Sequence, residues 1–121
     1  MASELRVNTL KDASGNNSVA TETVAKGSAK VFSRAAATQD SILDSFNQTT
    51  FTDVGTGQFT VTLTNALSNT NYIMVTAAHS SADRSNTTRN IATSNYDMQC
   101  FNQAGSTSDT QQSSAAFGDL A

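Results

Sequence analysis

Gln58-Phe59-Thr60-Val61-Thr62-Leu63-Thr64 alternates without a break. Phe59, Val61 and Leu63 point one way, and Gln58, Thr60, Thr62 and Thr64 the other. A period of two with one apolar and one polar face is the pattern of a strand buried on one side and wet on the other, in an antiparallel sheet. Just before it lies Thr52-Asp53-Val54-Gly55-Thr56-Gly57. Two glycines one residue apart between β-patterned segments read as a hairpin connection. Asp53 is expected to cap local N–H groups there, and Gly55 and Gly57 to supply the turn.

Working outward, Ser41–Asn47 and Ala29–Arg34 read as strands, joined by a loop over Ala35–Asp40. Six residues are too few for a stable helix even where Ala is abundant. On the other side, Asn65–Thr70 reads as a turn. Tyr72–Ala78 is apolar on both faces and is expected to be a central strand. Ser80–Asn86 reads as a polar loop and Thr87–Thr93 as a weaker strand. Tyr96, Met98 and Cys100 share one face of a further strand. Gln103–Asp109 is turn material, and Gln111–Phe117 is the last strand. No three-to-four-residue periodicity is sustained and no internal repeat is present. Short strands with polar turns between them predict an all-β fold, an antiparallel sandwich of jelly-roll type.

The N-terminal part differs. Glu4–Leu10 alternates, with Leu5 and Val7 on one face, and reads as a short strand. Lys11–Gly27 reads as an extended connector that needs a partner surface for order. The chain thus divides into an arm, residues 1–27, and a sandwich, residues 28–121. Leu5, Val7 and Leu10 are more apolar than a free arm requires, so they are the candidates for attachment or for tying copies together.

Composition sharpens this reading. Ser, Thr, Asn and Gln supply 52 of 121 residues, while Val, Ile, Leu and Phe supply 22, with no Trp and no Pro. That is near the limit below which a chain buries too little apolar surface to order itself alone. A core shared with copies of the same chain answers the shortage. Burying roughly 1,000 Å² more apolar surface would contribute on the order of 25 kcal/mol gross. The formal charge of −3 and scattered Lys and Arg argue against nucleic acid as a partner. No apolar run reaches membrane-spanning length, and Met1–Leu10 has no leader-like core. One Cys and one His make an internal disulfide, a metal site or triad chemistry improbable, so no metal, cofactor or catalytic residue is expected. Asp40 and Asp44, four apart on extended chain, would lie about 13 Å apart, too far for paired-carboxylate hydrolysis. The sequons at Asn16, Asn47 and Asn86 are expected to reflect the abundance of Asn, Ser and Thr. Cys100 is expected to be buried and inert.

Four elements in order carry a resemblance. Asp44-Ser45-Phe46-Asn47 precedes Asp53-Val54-Gly55-Thr56-Gly57-Gln58-Phe59-Thr60-Val61. Then come Ala66-Leu67-Ser68-Asn69-Thr70-Asn71-Tyr72 and Ser114-Ala115-Ala116-Phe117-Gly118-Asp119. Together they resemble a module of appendage proteins of tailed phages, marine ones especially. The opening Ser3–Asp12 also looks like the start of phage fibre and virion structural proteins. The chain departs from the module at 33–38, where the family has a Trp-Val-Asn-Phe-Asn strand. The resemblance implies a trimeric, non-enzymatic virion protein. It would sit on a tail fibre, with capsid decoration (head fibre or cement) as the alternative. Its partners would be its own copies and other virion proteins. Apart from the resemblance, the polar loop Ser80–Asn86 and the turn Asn102–Asp109 are where a host glycan or another virion protein would be met, with His79, Arg84 and Tyr96 beside them as the candidate contacts. A carbohydrate-binding module is the competing class, poorly supplied with two Tyr and no Trp.

Overall fold

A computed structural model describes residues 4–79 and 83–121. Ten strands and one short helix follow one another among these residues. β1 (Thr9–Lys11) and β2 (Ser18–Ala20) form a small hairpin, and α1 (Thr21–Gly27) follows. Eight strands make the body: β3 (Val31–Ala35), β4 (Ile42–Phe46), β5 (Gln48–Gly55), β6 (Gln58–Leu63), β7 (Ile73–His79), β8 (Arg84–Arg89), β9 (Asn95–Asn102) and β10 (Gln111–Phe117).

The eight strands form two four-stranded antiparallel sheets, ordered β4-β3-β10-β7 and β5-β6-β9-β8. They pack face to face. Val31, Ala35 and Ala116 from the first sheet meet Phe59, Val61, Leu63, Tyr96 and Met98 from the second. The all-β sandwich expected from the sequence is therefore present. The alternation in β6 places Phe59, Val61 and Leu63 inward, and β9 buries Tyr96, Met98 and Cys100 as one face. The strand order is not that of a jelly roll, because β3–β4, β5–β6 and β8–β9 are hairpins within one sheet.

Four expectations shift. The segment 11–27 is not an extended connector. Asp12 organises a turn, its carboxylate accepting from Ser14 Oγ at 2.9 Å, Asn16 N at 3.0 Å and Asn17 Nδ2 at 2.7 Å. These three bonds hold its carboxyl below the usual range, Ser14 contributing most. α1 is closed by an i,i+4 pair, Glu22 with Lys26 at 2.7 Å. The strand expected over Glu4–Leu10 is narrower, beginning only at Thr9. β8 begins at Arg84, inside the expected loop, and ends at Arg89; residues 80–82 of that loop lie outside the described residues. Tyr72–Ala78 is not central either. β7 is the edge of its sheet, and Ile73 and Val75 are exposed. The departure at 33–38 costs nothing, since β3 is a full five-residue strand with Val31, Ser33 and Ala35 buried.

The interior is thin. Gln39, Gln112, Ser33 and Ser114 are buried beside the apolar cluster. Gln39 donates to Thr110 O at 3.0 Å. The Gln112 amide and the Ser33 hydroxyl have no hydrogen-bond partner among the described residues. Each buried polar group of this kind costs about 1–3 kcal/mol unless water reaches it.

Candidate functional site

The residues that carried the resemblance turn out to hold the corners of the sandwich. Asn47 alone links β4 in one sheet to β5 in the other. It adopts φ 57°, a left-handed backbone that Asn tolerates better than most residues. Its side chain clasps both flanks: Nδ2 donates to Lys30 O at 2.9 Å and Asn65 O at 3.0 Å, and Oδ1 accepts from Asn65 N at 2.7 Å. A single residue can turn a strand from sheet to sheet only if its neighbours are fixed, and these three bonds fix them.

The hairpin tip behaves as expected. Asp53 Oδ1 accepts from Gly55 N at 2.9 Å. Gly57 has φ 70°, and a Cβ there would fall 2.7 Å from Ser108 N and 2.8 Å from Cys100 O. Gly57 N donates to Asp109 Oδ1 at 2.6 Å and Gly57 O accepts from Cys100 N at 2.8 Å. The glycine is there because β9 and the 106–109 segment pass against its backbone. Tyr72 is buried, its hydroxyl donating to Ala92 O at 2.9 Å. Gly118 backs onto it, since a Cβ at 118 would meet Tyr72 Cβ at 2.8 Å. Asn47, Gly57, Tyr72 and Gly118 are thus architectural residues.

The expected contact residues separate. Tyr96 is not a surface contact. It is fully buried and its hydroxyl bonds Ser114 Oγ at 2.8 Å, joining the two sheets. Burial pushes its phenol up to about 12. The same face buries Cys100, whose thiol burial also pushes up. His79 ends β7 on the outer side of its sheet and meets Ser113 Oγ at 2.7 Å. Arg84 sits elsewhere, in an open groove of about 520 Å³ with Asp83, Phe101, Asn102 and Gly105. Its Nη1 donates to Asp83 O at 3.0 Å. Leu5, Val7 and Leu10 are exposed in the N-terminal segment, where Thr21 Oγ1 donates to Val7 O and Asn8 O. Among the described residues no three His, Cys, Asp or Glu gather to hold a metal, and no helix is long and apolar enough to cross a membrane.

The feature that sequence reasoning missed is a face. On the outside of the β4-β3-β10-β7 sheet, register aligns Phe46, Phe32, Ala115 and Val75 in one row across all four strands. Phe117 and Ile73 form the next row. Phe32 and Phe46 stack with centroids 5.9 Å apart. A groove of about 410 Å³ runs along this face, between Phe32, Leu43, Val75 and Ala115. The signal was the apolar character of both sides of Tyr72–Ala78, which demands cover on two faces whether or not the strand is central.

No protein-family model matches the chain, and neither a curated protein nor a solved structure matches it.

Proposed function

We propose that the chain is a small structural subunit of a tailed-phage particle. It assembles as a homotrimer in a fibre or similar appendage, with residues 1–27 toward the particle and residues 28–121 outward. The observation that supports this reading is the placement of the motif residues. Asn47, the Asp53–Gly57 hairpin, Tyr72 and Gly118 come from four separate stretches of the resemblance, and all four sit at joints of one sandwich. Residues that specify joints mark a shared architecture rather than a shared ligand. An uncovered apolar sheet face supports the multimeric part of the reading. No cofactor, nucleic acid or catalytic step belongs to it. The groove at Arg84 and the 102–109 turn are the parts offered to a host glycan or another virion protein.

Mass spectrometry of gradient-purified particles whose genome encodes the chain tests the proposal. The chain should be present in a copy number divisible by three, and antibody labelling in electron microscopy should place it on the tail. Labelling of the head would move the subunit to the capsid and replace the fibre reading with decoration. Absence from particles, with the chain left in the particle-free lysate, would overturn the proposal. Deleting residues 1–12 should abolish incorporation while the sandwich still folds.

A further inference from the structure

We infer that the outer face of the β4-β3-β10-β7 sheet is the surface through which copies of this chain associate. The inference deepens the multimeric reading above and rests on it, by naming which surface is used.

Three observations carry it. The first is area. Phe32, Leu43, Phe46, Ile73 and Val75 are exposed by 38%, 54%, 54%, 68% and 57% on this one face. They offer roughly 500 Å² of apolar surface, if a whole large side chain offers about 150–250 Å². One side of a standard protein interface covers about 800 Å², about 56–65% of it apolar. The patch therefore supplies the apolar share of one such side. It also reaches the upper end of what isolated monomers expose, about 300–600 Å².

The second is charge. The rows Phe46–Phe32–Ala115–Val75 and Phe117–Ile73 contain no polar side chain. In the neighbouring row Arg34 lies directly opposite Asp44. Two copies meeting over the apolar rows therefore bring no like charges together there, and the adjoining row, where Arg34 and Asp44 line the same groove, offers one charge of each sign.

The third is the edge. β7 (Ile73–His79) is seven residues long and carries no Lys, Pro, Asp or Glu. It borders the patch as an edge strand. Edges of monomers are normally blunted by charge, proline or bulges. One left apolar and regular at the margin of an apolar face is suited to another copy.

The test uses the full chain. Multi-angle light scattering gives the molar mass of the wild type, of Val75→Lys, and of Thr52→Lys, which lies on the outer face of the opposite sheet. Circular dichroism checks the folding of each. The wild type and Thr52→Lys should share one multimeric mass, and Val75→Lys should fall to the monomer mass. A second readout needs no disruptive change. The thiol of Val75→Cys should alkylate at least ten times more slowly at concentrations where the chain is multimeric than after dilution, while Thr52→Cys alkylates equally fast in both; Cys100 is buried in either. A multimeric wild type whose Val75→Cys thiol is equally reactive at both concentrations would overturn this face and leave self-association standing. A monomeric wild type, or one that binds glycans through Phe32 and Phe46 without associating, would overturn the inference and the trimer together. The presence of the chain in particles is decided separately, by the mass spectrometry above.

Discussion

The two outer faces of the sandwich are built on the same plan and dressed in opposite ways. On the β5-β6-β9-β8 side, register sets Thr52, Thr60, Asp97 and Arg89 in one row, and Gln58, Gln99 and Thr87 in another. These side chains bond one another. Thr60 Oγ1 donates to Asp97 at 2.6 Å, Arg89 Nη1 donates to Gln99 Oε1 at 2.8 Å, and Asn90 reaches Asp97. On the β4-β3-β10-β7 side the equivalent rows are Phe46–Phe32–Ala115–Val75 and Phe117–Ile73. One face has satisfied its own groups and has no need of a neighbour. The other leaves apolar surface in water, which is unfavourable in proportion to its area. The chain is short of apolar residues overall, so placing several of its largest outside the core has a meaning only if something covers them.

The comparison makes graded predictions. The largest concerns inside against outside. Met98→Ala, in the closed core, should cost about 2–5 kcal/mol in urea unfolding at any chain concentration. Ile73→Ala should cost less than about 1 kcal/mol when the chain is dilute and clearly more when it is concentrated. Equal costs for Ile73→Ala at both concentrations would erase the distinction between the faces.

A smaller effect is expected where the sheets are tied. Tyr96→Phe removes the hydroxyl bonded to Ser114 and should cost about 1 kcal/mol. In the wild type the folded phenol lies at about 12, above the ordinary value near 10. The folded state then holds a proton that the unfolded state gives up. This contribution is complete below about pH 10 and is lost as pH rises toward about 12. Absorbance titration in a Tyr72→Phe background should show Tyr96 still protonated at pH 10 while the protein remains folded, and Tyr96→Phe should flatten the alkaline loss of stability. Ionisation of Tyr96 at its ordinary value would place it outside the core.

The smallest effect belongs to the self-satisfied face. Thr62→Val, pointing outward on β6, should change stability by within about 0.5 kcal/mol and leave the molar mass unchanged. A change in mass would mean that this face also meets a partner.

Alternation made most of the sandwich legible. Phe59, Val61 and Leu63 needed only their period of two, and Asp53, Gly55 and Gly57 only their turn chemistry. What alternation cannot supply is pairing between distant strands. Tyr72–Ala78 declares two apolar faces, but nothing local says that β10 will pair with one edge of it and leave the other open. Tyr96 is the counter-case: its face was readable from Met98 and Cys100, and its nearness to a loop was a poor guide to exposure. α1 escaped notice because seven residues held by one Glu22–Lys26 pair carry no apolar period. Asn47 reads locally as the end of a strand. Its work depends on Lys30 and Asn65, which are 17 and 18 residues away.

Thermal unfolding tests the proposed closure of one copy by others most directly. The midpoint should be followed by circular dichroism over about a hundredfold range of chain concentration, where association that favours the folded state raises the midpoint with concentration. A midpoint that climbs steadily with concentration, and ceases to climb in Val75→Lys, is the predicted result. A midpoint that stays fixed across the whole range, with the chain folded at the lowest concentration, would contradict it.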